Sequence, residues 1–340
     1  MSLPRVDVVV SFPGPAEALA PVLRHLEGRI ELRIRGLSRT PVYNNLGGSY
    51  DVFLKDFPDA DDLAPRLARH NDLESLVRAD PPDLFLLGAV NDLDGSRLFP
   101  EKDILALARD MGIPTLQFVD NWMAWSVNSQ AADLYLNVDD LCAEVGKKLN
   151  PAFSRHLTTG HPGLQAFLET MRGPDYGHGE HIGFFTQTHV DTGQVLDWLQ
   201  HILGPEDSLL VKKHPRDDTD PEPHLRRFAC PAKVTPESPE VLYPSLSHCI
   251  THTSVVGLKA ALLSIPTTNV TPGQLMLQVG ELLGGYPLAL AGLTREANTL
   301  EELRQAIREP LVPDPIRVRE HFRLDDAAQR MAGAVLDRLA

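Results

Sequence analysis

Residues 250–261 read ITHTSVVGLKAA, and this stretch decides the fold class. Its apolar beginning predicts a buried strand, and the hydroxyl residues that follow predict a turn. The small residues Gly257 and Ala260 predict a helix that packs closely on a sheet. Thr253 or Ser254 is a suitable N-cap for this helix, because a side-chain oxygen there accepts a hydrogen bond from the first turn. Strand, turn and helix in this order form the repeating unit of a parallel α/β sheet.

The same unit recurs in both halves of the chain. Strand-like apolar runs occupy residues 6–12, 30–34, 84–87, 114–119 and 134–138, and then 182–185, 209–212, 249–251 and 267–270. Helical patterns lie between them, and the polar, glycine-rich stretch 173–180 separates the halves. We predict an α/β protein with two Rossmann-like doubly wound domains facing a central cleft. The predicted segments are domains at residues 1–172 and 180–324, and a C-terminal helix at 325–340 whose packing across the domains is left open.

The composition excludes several classes of protein. The chain has 340 residues, of which 43% are hydrophobic, and this is enough apolar material for two cores. Its 32 basic and 46 acidic residues give a net charge of -14, which argues against general binding to nucleic acid. Trp122, Trp125 and Trp198 are therefore predicted to belong to the core or to a cleft wall rather than to a base-stacking platform.

Neither a disulfide framework nor a membrane span is indicated. Cys142, Cys230 and Cys249 are far apart and form no CxxC pair, which fits a reducing compartment. No run of 18 apolar residues occurs, and the N-terminus lacks the basic and small-residue features of a signal peptide. We expect a cytoplasmic protein without a transmembrane segment. Whether it forms a homo-oligomer is left open.

The loop after the strand at 209–212 carries a basic cluster, Lys213, His214 and Arg216. Ligands of doubly wound sheets sit beyond the carboxyl ends of the strands, so this cluster is a candidate site for an anion. Pro215 ends the strand, because it has no N–H to donate. His214 can donate a hydrogen bond to a phosphate or act as a general acid. The alternative is a solvated strand end whose charge is balanced by Asp217 and Asp218.

Two further loops of the second half belong to the candidate anion site. The loop at residues 252–255, His252, Thr253, Ser254 and Val255, precedes the N-terminus of the small-residue helix, where free N–H groups and the helix dipole favour an anion. Alternatively, its hydroxyls only cap the helix. Thr186 and Gln187 follow the strand at 182–185 and are candidates for ligand contact, whereas Asp191 or Thr192 is expected to cap the next helix.

In the first half, Asp120 follows the strand at 114–119 and is a candidate general base. The alternative is a buried carboxylate held by backbone N–H groups. Five further residues of the first half are candidate cleft residues: Pro13, Gly14, Asn121, Trp122 and His161. Dinucleotide, Walker, nucleophile-elbow and zinc-protease motifs are absent, and the 13 histidines show no metal-site spacing.

The order of these segments resembles that of a known superfamily. The segments are VDNW at 119–122, ADLYLNV at 132–138, TTGHPGL at 158–164, KHPR at 213–216, THTSVVGLKAA at 251–261 and SIPT at 264–267. Together they resemble the GT-B superfamily, in particular enzymes related to UDP-N-acetylglucosamine 2-epimerase and bacterial capsule and teichoic-acid-type transferases. The likeness is patchy over the first 110 residues and continuous from about residue 114 onward.

The resemblance implies roles for individual residues. His214 and Pro215 match the pair that lies beside the nucleotide diphosphate in these families, and Ser254 and Pro266 match a phosphate-binding turn and the strand after it. The resemblance places the nucleotide on the second domain and the acceptor or sugar on the first. The implied nucleotide-binding residues are Thr186, Gln187, Lys213, Arg216, His252, Thr253, Ser254 and Val255. In the implied reaction His214 and Arg216 stabilise the leaving diphosphate, and Asp120 is the base.

The sequence also departs from the epimerase pattern. The epimerase-like DSGG is replaced by HTSV at 252–255, and Lys259 stands where an acidic residue is expected. The resemblance therefore favours transfer of a glycosyl or related phospho-alditol group from a nucleotide-activated donor to an acceptor glycan or small molecule, in surface polysaccharide or glycoconjugate synthesis. It implies no cofactor and no metal, and the nucleotide-sugar donor is a substrate.

Two alternatives stay open. An epimerase needs acid and base carboxylates on both sides of the sugar ring, for which the first half offers Asp92 and Asp94 beside Asp120. A nucleotide-sugar binding protein without catalytic activity would need neither.

Overall fold

The computed structural model describes residues 2–35, 57, 70–92, 98–127, 130–171, 176–187, 190–215, 217–272 and 281–340. The chain divides into two compact units. Unit 1 comprises Met1–Glu169 and Phe322–Ala340, and unit 2 comprises Thr170–His321. The boundaries expected from the sequence were residues 172, 180 and 324.

Unit 1 is built on a six-stranded parallel sheet with the strand order β2-β1-β3-β4-β5-β6. Its strands are β1 Arg5–Val9, β2 Glu31–Arg35, β3 Leu84–Gly88, β4 Thr115–Val119, β5 Leu134–Asn137 and β6 His156–Thr158. Its helices up to the crossing into unit 2 are α1 Pro13–Leu26, α2 His70–Ala79, α3 Pro100–Met111, α4 Asp140–Leu149 and α5 Pro162–Thr170. Every residue of β3 and β4 is buried, as expected for central strands that are covered on both faces.

Unit 2 contains a second six-stranded parallel sheet, with the order β12-β11-β10-β7-β8-β9. Its strands are β7 His181–Phe185, β8 Leu209–Lys212, β9 Ala232–Val234, β10 Leu246–Thr251, β11 Thr267–Val270 and β12 Arg295–Ala297. Its helices are α6 Thr192–Ile202, α7 Glu222–Leu225, α8 Pro239–Leu242, α9 Val255–Leu262, α10 Pro287–Leu290, α11 Leu300–Arg308 and α12 Pro315–His321. The two sheets confirm the predicted pair of Rossmann-like domains.

The last helix, α13 Ala327–Leu339, belongs to unit 1, where it packs against α1. Its stripe of Ala328, Met331, Ala332 and Val335 is buried. None of the helices in the described part of the chain has the length and apolarity that crossing a bilayer requires.

The predicted boundaries were wrong at the first strand. The run 6–12 was expected to be a strand throughout, but β1 ends at Val9 and α1 begins at Pro13. Pro13 and Gly14, two of the candidate cleft residues, therefore lie in the first turn of a helix. Proline is well suited to that position, because its fixed φ is helical and the N–H that it lacks would have no partner within the helix.

Gly160 lies in the turn between β6 and α5 and has a left-handed φ of 91°. A Cβ there would lie 2.5 Å from the carbonyl oxygen of Phe322 and 2.6 Å from that of Arg323. We expect Gly160→Ala to lower the free energy of unfolding by about 2–4 kcal/mol, because it adds a backbone clash to the cost of a positive φ. Gly112 is the matched control. Its φ is 69° and nothing lies within 4 Å of the added Cβ, so Gly112→Ala should cost only about 1 kcal/mol. Equal losses in denaturant titrations would contradict the close approach at Gly160.

Candidate functional site

The switch point of the second sheet lies between β7 and β10, because the chain runs from β7 to β8 on one side and returns to β10 on the other. Crevices at such points are the usual ligand sites of open α/β sheets. The loops that meet there carry Gln187 and Thr253. The side-chain oxygen of Gln187 accepts hydrogen bonds from the backbone N–H of Thr253 at 3.1 Å and from its hydroxyl at 3.2 Å. Two of the predicted segments are thus joined directly.

The basic loop after β8 is hydrogen-bonded to the loop after β7 at this switch point. The backbone N–H of His214 donates to the hydroxyl of Thr186 at 3.0 Å, and Lys213 and His214 are both half-buried. Arg216 lies outside the described residues. The alternative of a strand end balanced by solvated acids does not hold for Asp217, which is 6% exposed and accepts a hydrogen bond from Thr192 at 2.9 Å.

Ser254 is the N-cap of α9. Its hydroxyl accepts a hydrogen bond from the backbone N–H of Val256 at 3.2 Å. A serine hydroxyl that accepts one hydrogen bond keeps its own proton for donation, so capping and ligand contact are compatible. Val255, the first residue of the helix, is exposed. The positive end of the helix dipole lies at this turn and favours an anionic ligand.

A buried hydrogen-bond network stabilises the turn between β10 and α9. The ring Nδ1 of His252 hydrogen-bonds the carbonyl oxygen of Val270, which fixes the proton on that nitrogen. The carbonyl oxygen of His252 accepts from the side chain of Asn269 at 2.5 Å, and Asn269 in turn accepts from Thr294 at 2.7 Å. Asn269 did not emerge from the sequence analysis. A polar residue within the strand-like run 267–270 was the available signal.

Helix α9 approaches the sheet as closely as the small residues predicted. A Cβ on Gly257 would lie 2.6 Å from a methyl carbon of Thr251 and 3.3 Å from one of Thr267. The glycine therefore allows the N-terminus of α9 to lie beside the ends of β10 and β11.

In unit 1, the structure brings Asp120 together with Asn121 and Gly14. The Asn121 amide donates to one oxygen of the Asp120 carboxylate at 2.9 Å, and a Cβ on Gly14 would lie 3.1 Å from the other oxygen. Burial raises the pKa of Asp120 to about 6, although the hydrogen bond from Asn121 opposes the shift. A carboxylate with this pKa is ionised at neutral pH and accepts a proton more readily than an ordinary aspartate.

Two of the predicted cleft residues are buried. The indole N–H of Trp122 donates to both carboxylate oxygens of Asp139 at 3.0 Å, and its ring packs against Phe322. His161 is 6% exposed and lies edge-on to Phe118, and its Nδ1 accepts the backbone N–H of Leu164 at 3.3 Å. These contacts stabilise the fold of unit 1. The ligand-binding role of both residues stays a prediction.

Two other acidic residues of unit 1, Glu101 and Asp92, make contacts that sequence patterns do not reveal. Glu101 is fully buried and accepts hydrogen bonds from the Ser11 N–H at 2.6 Å and hydroxyl at 2.7 Å, and burial raises its pKa to about 7. Asp92 is also buried and forms an ion pair with Lys102. Asp94 lies outside the described residues. Of Asp92, Glu101 and Asp120, only Asp120 is partly accessible.

Two Rossmann-like domains, each with a parallel sheet open at a switch point, define a protein with the GT-B fold. No protein-family model and no curated protein sequence matches the chain. Among solved structures, it is similar to a UDP-N-acetylglucosamine 2-epimerase from Neisseria meningitidis bound to UDP-GlcNAc, with 13% identity and a TM-score of 0.61 over 98% of this chain and 100% of that one.

Two transferases show the same likeness. MurG from Acinetobacter baumannii has 14% identity and a TM-score of 0.59, over 98% of this chain and 99% of that one. A UDP-glucosyltransferase from Polygonum tinctorium has 14% identity and a TM-score of 0.55, over 100% and 99%. The GT-B resemblance drawn from the sequence motifs is confirmed at the level of the fold.

Proposed function

We propose that the protein transfers a glycosyl or related alditol-phosphate group from a nucleotide-activated donor to an acceptor hydroxyl, in surface polysaccharide or glycoconjugate synthesis. One observation carries the proposal: three loops meet at the switch point of unit 2. The backbone N–H of His214 donates to Thr186, the side chain of the neighbouring Gln187 accepts from Thr253, and Ser254 caps α9 directly after Thr253. Fixed donors of this kind suit a diphosphate better than a neutral ligand.

In the proposed reaction, the bond between the donor carbon and a diphosphate oxygen breaks, and negative charge develops on that oxygen. His214, Lys213 and the α9 N-terminus stabilise this charge, and because they are held by the fold, little reorganisation is needed. Asp120 accepts the proton of the acceptor hydroxyl as the oxygen attacks the donor carbon. Its raised pKa matches this task.

Transfer is favoured over epimerisation by the state of the acidic groups. Epimerisation at a ring carbon requires a base and an acid on opposite faces of the sugar. Asp92, a candidate for the second group, is buried against Lys102, and Glu101 is inaccessible. Lys259, at the position where an acidic residue was expected, pairs with Glu240 at 3.0 Å. The similarity to epimerase structures makes epimerisation the second candidate.

The cysteines fit a cytoplasmic site for this reaction. Cys142, Cys230 and Cys249 are unpaired and buried, as is usual in proteins of a reducing compartment.

A panel of nucleotide sugars tests the proposal. The protein is incubated with UDP-, CDP- and GDP-activated donors, with and without acceptor alcohols and glycans, and the products are identified by mass spectrometry and NMR. Free nucleotide together with a modified acceptor supports transfer. An epimerised sugar supports the second candidate, and binding without turnover indicates a protein without catalytic activity.

Ser254→Ala separates capping from phosphate contact. Loss of the cap should lower the free energy of unfolding by about 1 kcal/mol. Loss of a hydroxyl donor to a charged oxygen should in addition weaken nucleoside diphosphate binding about 10- to 100-fold, with little change for the uncharged nucleoside. Thermal unfolding and calorimetric titration of one variant give both quantities. Equal loss for diphosphate and nucleoside would exclude the phosphate contact.

A further inference from the structure

A buried acid fixes the turn that joins β1 to α1. Ser11 lies in this turn and is 1% exposed, and Glu101, in the first turn of α3, is fully buried. One carboxylate oxygen of Glu101 accepts the backbone N–H of Ser11 at 2.6 Å, and the other accepts its hydroxyl at 2.7 Å. Because the two residues are 90 positions apart in the chain, these hydrogen bonds attach the turn to a separate element of unit 1.

The N-terminus of α1 lacks a side-chain cap of its own. Its N-cap residue is Phe12, which has no side-chain acceptor, and Pro13 and Pro15 have no backbone N–H. The Phe12 ring packs on the ring of Phe99, the N-cap residue of α3, with a centroid distance of 5.6 Å. The start of α1 is therefore positioned by contacts of Ser11 and Phe12 with α3.

The first turn of α1 lies against Asp120. A Cβ on Gly14 would be 3.1 Å from a carboxylate oxygen of Asp120, and this close approach is possible because Gly14 has no side chain. The contact contributes to the burial that raises the pKa of Asp120 to about 6. Gly14 is three residues from Ser11, so a displacement of the turn moves the helix start away from the carboxylate and admits water beside it.

Both protonation states of Glu101 can hold Ser11. Burial raises the pKa of Glu101 to about 7, and the nearby charge of Asp103 acts in the same direction against the hydrogen bonds from Ser11. Both states are therefore populated near neutral pH. The ionised carboxylate accepts from the N–H and the hydroxyl of Ser11, whereas the neutral carboxyl accepts from the N–H and donates to the hydroxyl oxygen. The attachment of the turn thus depends on shape and hydrogen bonding and does not require the charge.

We propose that Glu101 is a positioning residue: through Ser11 it fixes the turn before α1 and keeps the first turn of that helix against the Asp120 carboxylate. This inference rests on the proposed function, since it concerns the residue assigned there as the base. Glu101 is fully buried and acts through Ser11, so it needs no contact with donor or acceptor. Without Glu101, the N–H and hydroxyl of Ser11 lose these acceptors, and opening of the turn to water restores their hydrogen bonds.

Glu101→Met and Glu101→Gln form a matched pair. Methionine has nearly the length of glutamate but offers only a weak sulfur acceptor, so both contacts with Ser11 are lost. Glutamine keeps both, because its amide oxygen accepts the N–H and its amide nitrogen donates to the hydroxyl oxygen. Any effect of Glu101→Met that is absent from Glu101→Gln therefore comes from the hydrogen bonds to Ser11.

The first measurement is the pKa of Asp120, which does not depend on activity. It is followed by 13C NMR of protein labelled at the aspartate Cγ, and the resonance of Asp120 is the one missing from Asp120→Asn. The pKa should stay near 6 in the wild type and in Glu101→Gln. In Glu101→Met it should fall to about 5 or lower, toward the ordinary aspartate value of about 3.9, because water reaches the carboxylate.

The second measurement is activity with the nucleotide sugar that the panel identifies. Glu101→Met should lower kcat about 10- to 100-fold, the range that a small misplacement near the reacting groups produces. The acid limb of its kcat/KM profile should move to the lower pKa of Asp120. Glu101→Gln should keep this limb near pH 6 and kcat within about threefold of the wild type.

An Asp120 pKa that stays near 6 in folded Glu101→Met overturns the proposal, and so does an equal fall in Glu101→Gln. If Glu101→Met does not fold, Ser11→Ala replaces it. This variant removes the hydroxyl contact and keeps the N–H contact, so the Asp120 pKa should fall about half as far, and an unchanged pKa overturns the proposal. Absence of turnover by the wild type with every donor refutes the proposed function instead, and the pKa of Asp120 still decides whether Glu101 positions the turn.

Discussion

Replacing His214 with alanine is expected to lower kcat for the nucleotide-activated donor about 100- to 1,000-fold, the range found when one fixed donor to a developing charge is removed. The donor KM should change less than about threefold, because the charge on the leaving diphosphate oxygen is greater in the transition state than in the bound donor. The His214 backbone is fixed on both sides, so the loop should keep its shape in the variant. Steady-state kinetics over a range of donor concentrations separates the two constants.

The matched control is His224→Ala. His224 lies in the same unit, and its ring hydrogen-bonds Asp197 at 3.0 Å instead of the switch-point loops. Its removal should leave kcat and KM unchanged. A His214→Ala variant with raised KM and normal kcat would show that His214 binds donor and transition state equally. A fall in melting temperature matching the loss of activity would mark His214 as structural.

Asp120→Asn is expected to abolish most of the activity and to stabilise the protein. Removal of a general base should lower kcat about 100- to 10,000-fold. In the wild type, kcat/KM should rise with pH through about 6, because only the ionised carboxylate accepts a proton and its pKa in the free protein is raised to about 6. The residual activity of Asp120→Asn should lack this limb of the profile. Measurements from pH 5 to 8 test both statements.

The raised pKa of Asp120 explains why Asp120→Asn should stabilise the protein. The folded pKa of Asp120, about 6, lies above the unfolded value of about 3.9, so folding disfavours ionisation. Below pH 4 the Asp120 carboxyl is neutral in the folded protein and does not destabilise it. As the pH rises from 4 to 6, the free energy of unfolding decreases. Above pH 6 the cost is about 2–3 kcal/mol, and Asp120→Asn should recover much of it.

Asp139→Ala is the contrasting variant in the same unit. Asp139 caps α4 and accepts the Trp122 indole N–H, and alanine provides no acceptor for either contact, so this variant should have a lower melting temperature than the wild type. If Asp120→Asn is destabilised as Asp139→Ala is, Asp120 is a structural carboxylate rather than a strained base.

The sequence predicted the central strands that an apolar run marks. The strands β3, β4 and β8 appear at or within one residue of their predicted bounds, because parallel strands covered on both faces leave a largely apolar run. The edge strands β6, β9 and β12 were missed. Each has three residues, too few for any hydrophobic period to be recognised.

The candidate site was predictable in outline, because topology brings the residues after parallel strands to one edge of the sheet. The sequence analysis singled out Thr186, Gln187, His214 and Ser254 on this ground. It could not find the buried acidic residues of the two units. Asp217 and Glu101 follow no local pattern that distinguishes them from solvated acids, and their burial depends on contacts with residues distant in the chain. Nucleotide contacts remain predictions for all of these residues.

Unit 1 is discontinuous in sequence, and this has a consequence for synthesis. Helix α13, which covers α1, leaves the ribosome after the whole of unit 2. Unit 2 is a continuous segment and has all its strands available earlier, so it can fold first although it comes second. Until α13 is synthesised, the apolar face of α1 that it covers stays exposed. Exposed apolar surface of this kind is bound by chaperones and leads to aggregation. The order in which the two units are completed is therefore the reverse of the order in which their synthesis begins.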